Sequence, residues 1–257
     1  MLYIILTIGL LVIVYNFINK KKNTSKNIHK VEIEDHWYSL LEEHVLFYKK
    51  LNTEDRLHFK KRMQSFLSNV TITSVDFELE DIDVLLVAAS AIIPVFGFDN
   101  WSYPNIKKII IYPDYFNYDM EFTKDAKDKL IGGMVGNGPL ENKMILSRKA
   151  LHHGFSNKTD KGNTGIHEFV HLIDKLDGDI DGVPKVLMEN KNLMLWLDLV
   201  YEKMEAINNN KSDIRSYGGT SEVEFFAVAS EYFFERPMLL KRKHPDLYKM
   251  LHQCFVP

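Results

Sequence analysis

The stretch "NTGIHEFVHLIDKLDGDIDGVP", residues 163–184, decides how the rest of the chain is read. It reads as a loop followed by a helix from Thr164 to Leu176, ended near Gly178. A helix advances about 100° per residue, so His167 and His171 lie one turn apart on one face. Two imidazoles so placed can bind one tetrahedral zinc. From the position after the first histidine, Glu168 can reach a water on the metal rather than the metal itself. Zinc lowers the pKa of such a water toward about 7. Glu168 can then take its proton and pass it to a leaving amine. The pattern is H-E-x-x-H, the signature of a metallopeptidase helix.

A catalytic zinc usually has a third protein ligand and one open position. The source expected here is "RSYGGTSEVEFFAVASEYFFERP", residues 215–237, whose helix carries Glu222, Glu224 and Glu231 in an apolar run. A carboxylate inside such a run is costly to bury without a partner. Glu224 and Glu231 are seven residues apart and share a face. One of them is expected to bind the metal and the other to hold a ligand histidine or a nearby backbone group, with a plain salt bridge as the alternative for Glu231. Glu222 reads as a helix-start carboxylate favoured by the dipole. Asp174, three residues after His171, reads either as an acceptor for a histidine N–H or as a surface charge. "DGDIDG" lacks the twelve-residue loop and closing Glu of a calcium-binding EF-hand and reads as a tight turn. His152 and His153 read as exposed loop histidines rather than a second metal site.

The full chain has 257 residues, a net charge of −3 and one cysteine. That balance does not point to nucleic acid as a partner. Cys254 cannot form an intrachain disulfide and reads as a packing residue. Residues 2–18, "LYIILTIGLLVIVYNFI", form an apolar run that would span roughly 25 Å as a helix. Positive charge follows the run and no small-residue cleavage pattern appears, so the run reads as an anchor rather than a signal peptide. Lys20, Lys21 and Lys22 would hold its C-terminal flank in the cytoplasm. The expected organisation is a transmembrane anchor over 1–18, a polar linker over 19–30 and one domain over 31–257. That places the protein at the membrane with its domain in the cytoplasm.

Elsewhere the pattern is mixed α+β, with few strands and many helices. Trp37, Leu40, Leu41, Val45 and Tyr48 fall at helical spacing. A second helix follows with Thr53 as its N-cap and Leu57, Met63, Phe66 and Leu67 on its apolar side. Strands are expected near residues 71–79, 106–113 and 143–147, with a buried helix ending near Pro94 and Gly97. Three more helices are expected: near Lys191–Ile207, near Glu222–Phe234, and from Pro237 to near Phe255. The strand near Met144–Ser147 is expected to bind substrate by edge pairing.

The blocks "HEFVHLIDKLDGDIDGVP" and "YGGTSEVEFFAVASEYFFERP" resemble the Mlc titration factor A family of zinc peptidases. "GPLENKMILSRKALHHGF" fits the same pattern less tightly. The arrangement is also similar to the anthrax lethal factor catalytic domain. The resemblance implies a zincin-like domain with His167, His171 and Glu224 as zinc ligands and Glu168 as general base. It implies that Tyr217, seven residues before Glu224, stabilises the oxyanion. The function so implied is a zinc-dependent peptidase, aminopeptidase-like on short peptides. The alternative is a zinc-containing binding protein that sequesters a transcriptional regulator. The family's namesake is cytosolic and binds such a repressor, whereas this chain begins with an anchor-like run. Position 228 is Val, where the lethal-factor-like pattern repeats a Glu, and Glu231 is the nearest substitute.

Overall fold

The computed structural model describes residues 35–256, apart from positions 124, 126, 129 and 158. Helices α1 (Asp35–His44) and α2 (Leu46–Lys49), with Val45 between them, bury Trp37, Leu41, Val45 and Tyr48. Helix α3 (Thr53–Asn69) follows. Its N-cap is Asn52, one residue before the expected Thr53, because the Asn52 side-chain oxygen accepts the Asp55 N–H at 2.9 Å. Its buried stripe is Phe59, Met63, Phe66 and Leu67. Leu57 faces away from that stripe and is 53% exposed, contrary to expectation.

After strand β1 (Thr71–Ser74) comes α4 (Asp81–Ile92). Asp83 to Ile92 are all buried, as suits a helix that is apolar on every side. A capping box between Glu80 and Asp83 fixes its start. Strands β2 (Lys108–Tyr112), β3 (Gly133–Val135) and β4 (Lys143–Ser147) complete a sheet of order β1-β2-β4-β3. β1, β2 and β4 run parallel, with Ile109 opposite Met144. β3 runs antiparallel to β4, with Gly133 opposite Leu146. β4 is thus hydrogen-bonded on both sides and has no free edge, which corrects the expectation that it pairs with substrate. The short end strand β3 is not among the strands expected from the sequence, where the segment from Met134 reads as a glycine-rich turn.

The second half is helical: α5 (Arg148–Ser156), α6 (Thr164–Asp174), α7 (Leu193–Asn208), α8 (Glu222–Glu235), α9 (Pro237–Lys243) and α10 (Pro245–Phe255). The fold is α+β, a small mixed sheet with many helices. α6 packs against α8, α4, α5 and β3. Its close approach to α4 needs glycine at 165, where an added Cβ would lie 2.1 Å from Ser90 Oγ. Phe225, Phe226 and Tyr232 of α8 are fully buried, and each such ring contributes roughly 1.5–3 kcal/mol of burial energy. Cys254 is buried, and that burial pushes its thiol up to about 12, so it packs rather than reacts. The single C-terminal helix expected from Pro237 is two helices. His244 precedes Pro245 and sits at φ −137°, the extended conformation that a following proline favours.

The localisation expected from the sequence is corrected here. Among the described residues no helix is long and apolar enough to cross a membrane. The apolar run over 2–18 and the linker over 19–30 lie outside the described residues. The structure therefore gives no support to a membrane-anchored protein with a cytoplasmic domain.

Candidate metal centre

Asn163 starts α6: its side-chain oxygen accepts the Ile166 N–H at 3.2 Å. The helix then presents His167, Glu168 and His171, all buried, to the first turns of α8. Ser221 caps α8 through the Glu224 N–H at 3.2 Å, and the Glu224 side chain reaches the α6 histidines. One ligand atom from each of His167, His171 and Glu224 lies within 4.8 Å of the others. Glu224 Oε2 is 3.1 Å from His167 Nε2 and 3.6 Å from His171 Nε2. The two Nε2 atoms are 3.0 Å apart.

Glu231, two turns further along α8, holds the other side of His167 at 2.8 Å between Oε1 and Nδ1. The Arg215 guanidinium donates to the same oxygen, and the Asn163 backbone N–H donates to Oε2. Glu231 is therefore a saturated, buried carboxylate that fixes the His167 ring with Nε2 turned to Glu224. Arg215 and Asn163 were missed in the sequence. Asn163 stands as a cap residue before an apolar helix and was legible as such, whereas Arg215 carries no local signal.

The Glu168 side chain lies against β3. An added Cβ at Gly133 would lie 2.6 Å from both Cγ and Oε1 of Glu168. The glycine is what lets the end strand pass over this carboxylate. Tyr217 lies in a 3₁₀ turn, Ser216–Gly219, before α8. Its ring centre is 6.1 Å from that of His167, and the side chain is half exposed. Asp174 departs from both expected roles. It is fully buried, and its Oδ2 accepts the Gly182 N–H at 2.9 Å rather than a histidine N–H, because the "DGDIDG" turn folds back over the helix end. His152 and His153 lie on α5 rather than in a loop. His152 bonds Asp83 at 2.6 Å, and neither histidine joins the centre.

The buried charges of the cluster are tightly coupled. Burial alone would lower the His167 imidazole; Glu231, Glu224 and Glu168 outweigh it and raise it to about 10. Burial would raise the Glu224 carboxyl, but the two imidazoles hold it well below the usual carboxylate range. Burial pushes Glu168 up, and the histidines offset this only in part. Burial and the neighbouring Glu224 raise the Tyr217 hydroxyl, keeping it a proton donor. Glu224 Oε2 is buried without a hydrogen-bond partner, although two imidazole nitrogens face it. At bonds of about 2.0–2.2 Å, ligand atoms around tetrahedral zinc stand roughly 3.3–3.5 Å apart. The three observed separations bracket that spacing, and two imidazoles with a carboxylate are a donor set suited to zinc.

The histidines, Glu168, Glu224 and Tyr217 open on one cleft of about 1190 Å³. The end strand β3 lines its wall with Gly133, Met134 and Val135.

A cleft of this size beside a His–His–Glu set and a buried carboxylate is the arrangement of a metallopeptidase family. A family model described as glucose-regulated metallo-peptidase M90 matches residues 18–256, and the chain belongs to that family. An uncharacterized protein of Synechocystis sp. is 27% identical over 265 residues, which cover 98% of this chain and 95% of that protein. The protein named Mlc titration factor A in Pectobacterium atrosepticum is 24% identical, with 88% of this chain and 87% of that one covered. Its namesake in Escherichia coli is 25% identical over 70% of each chain.

Proposed function

We propose that this protein is a zinc-dependent peptidase of zincin type. The observation that carries the reading is the convergence of His167 Nε2, His171 Nε2 and an unpartnered Glu224 Oε2 beside the buried Glu168. His167, His171 and Glu224 would hold the ion. Zinc bound there supplies Lewis acidity to a water and to the scissile carbonyl. Glu168 takes a proton from the attacking water and delivers it to the leaving nitrogen. Its raised carboxyl pKa suits both halves of that transfer. The Tyr217 hydroxyl donates to the oxyanion that forms on the carbonyl carbon. Glu231 keeps His167 in one tautomer throughout. The free edge of β3 offers backbone groups for an extended peptide. Family membership supports peptides as the substrate class, and the aminopeptidase-like preference for short peptides belongs to this proposal.

The relatives' name, Mlc titration factor A, favours a second reading: a metal-containing protein that binds a transcriptional regulator without hydrolysing anything. Glu168 separates the two. A structural zinc site needs no base beside its first histidine and usually closes its fourth position with protein. The test is zinc per chain and hydrolysis of a mixed peptide library, for wild type and Glu168→Gln in parallel. One zinc in both and cleavage only by wild type is the expected result. Equal zinc with no cleavage by either protein would overturn the peptidase reading in favour of the binding one.

A further inference from the structure

A second cavity, of about 340 Å³, shares no lining residue with the metal cleft. Its walls are rich in phenylalanine: Phe47, Phe96, Phe155, Phe233, Phe234 and Phe255. Lys50 and Glu235 are the charged residues that line it. Lys50 is exposed at the end of α2, while Glu235 ends α8 and is partly buried. One Glu235 oxygen accepts the Asn163 side-chain N–H at 3.0 Å. The other has no hydrogen bond among the described residues and is not sealed off. Burial lifts the Glu235 carboxyl to about 7, and the Asn163 hydrogen bond, with a smaller pull from Lys50, offsets this only in part.

An apolar cavity with an acid and a base among its lining residues selects its ligand by charge as well as by shape. A ligand with only an amine would satisfy Glu235 but set a cation beside Lys50. A ligand with only a carboxylate would set an anion against Glu235. A zwitterion with an apolar side chain satisfies both residues and covers the aromatic walls. The volume lies at the low end of the roughly 300–1000 Å³ typical of ligand sites, which favours one residue over a longer peptide.

We propose that this cavity binds a single free apolar α-amino acid. Its ammonium lies on Glu235, its carboxylate faces Lys50, and its side chain lies among the phenylalanines. The site does not rest on the peptidase reading. It does connect to the metal centre, because Asn163 donates both to Glu235 and, from its backbone, to the Glu231 that holds His167. Under the peptidase reading the ligand is chemically a product of the reaction.

The experiment is calorimetric titration of the full chain with L-phenylalanine, with and without excess EDTA. One saturable site that survives EDTA is expected. Phenethylamine and 3-phenylpropionate, each lacking one charge, should bind at least tenfold more weakly, the loss that follows removal of a charge-assisted hydrogen bond. Glu235→Gln and Lys50→Met should each weaken L-phenylalanine at least tenfold, and Leu51→Trp should fill the cavity and abolish binding. Circular dichroism confirms that each variant folds, and the exposed Lys50→Met carries the test if Glu235→Gln does not. Absence of heat up to millimolar L-phenylalanine would overturn the proposal. So would binding lost on adding EDTA, which would place the ligand in the metal cleft, or affinity unchanged in the folded variants.

Discussion

Glu231 Oε1 lies 2.8 Å from His167 Nδ1, across 64 residues of sequence. This contact joins α8 to α6 at the back of the metal centre. A carboxylate behind a ligand histidine raises its basicity and fixes its orientation, and its loss typically costs about 10–100-fold in metal affinity. Glu231→Gln should therefore weaken zinc binding by about that factor in a folded protein. Chelator competition measures it. Unchanged affinity would remove Glu231 from the machinery.

Gly133 sets the room available to Glu168. The methyl group of Gly133→Ala would overlap Cγ and Oε1 of Glu168, and the strand it sits on is pinned to Leu146. The carboxylate must yield, and an ångström of displacement of a catalytic group can cost roughly 100-fold. Peptide hydrolysis should fall at least tenfold while zinc content stays at the wild-type value. Full activity in this variant would show that Glu168 has other space to occupy.

Asp213 clamps the segment that leads to Tyr217. It accepts from Lys161 Nζ at 2.7 Å and Tyr232 Oη at 2.9 Å, and pairs with His244 at 2.7 Å. Asp213→Ala should free the turn that carries Tyr217 and lower kcat several-fold with little change in zinc content. A variant with normal kcat would indicate that the Tyr217 turn is held elsewhere.

Acid should weaken the fold through Asp83. Burial would raise this carboxyl, but hydrogen bonds from His152 and Arg148 outweigh burial and hold it below its ordinary 3.8. A depressed folded pKa means stability that is present above about pH 4 and lost as pH falls through the folded value. Asp83→Asn should cost roughly 2–3 kcal/mol at pH 7, less than the ~3–5 kcal/mol of a fully buried pair because Arg148 and His152 are partly exposed. The gap from wild type should narrow toward pH 3 in urea melts. A gap independent of pH would assign the loss to packing alone.

Helical spacing made part of the centre legible in advance. His167, Glu168 and His171 lie within one turn and a half, where periodicity alone decides which side chains share a face. Glu224 and Glu231 were narrowed to two roles by the same arithmetic, and the structure sets Glu224 toward both histidines and Glu231 behind one of them. Gly133 and Arg215 were not legible, because each acts only across long stretches of chain and no local pattern marks it. β3 was too short and too rich in glycine to read as a strand. Asp174 was misplaced because spacing gives a direction around the helix but not what folds over it. The break at His244 was readable from Pro245 and was missed.

The distance along the chain between the two histidines and Glu224 also has a consequence for synthesis. His171 is added to the growing chain 53 residues before Glu224, an interval of roughly 3–10 s at about 5–20 residues per second. An ion met during that interval finds two imidazoles and no carboxylate to close the triangle. If the three residues hold the ion as proposed, the complete ligand set exists only once α8 has docked on α6.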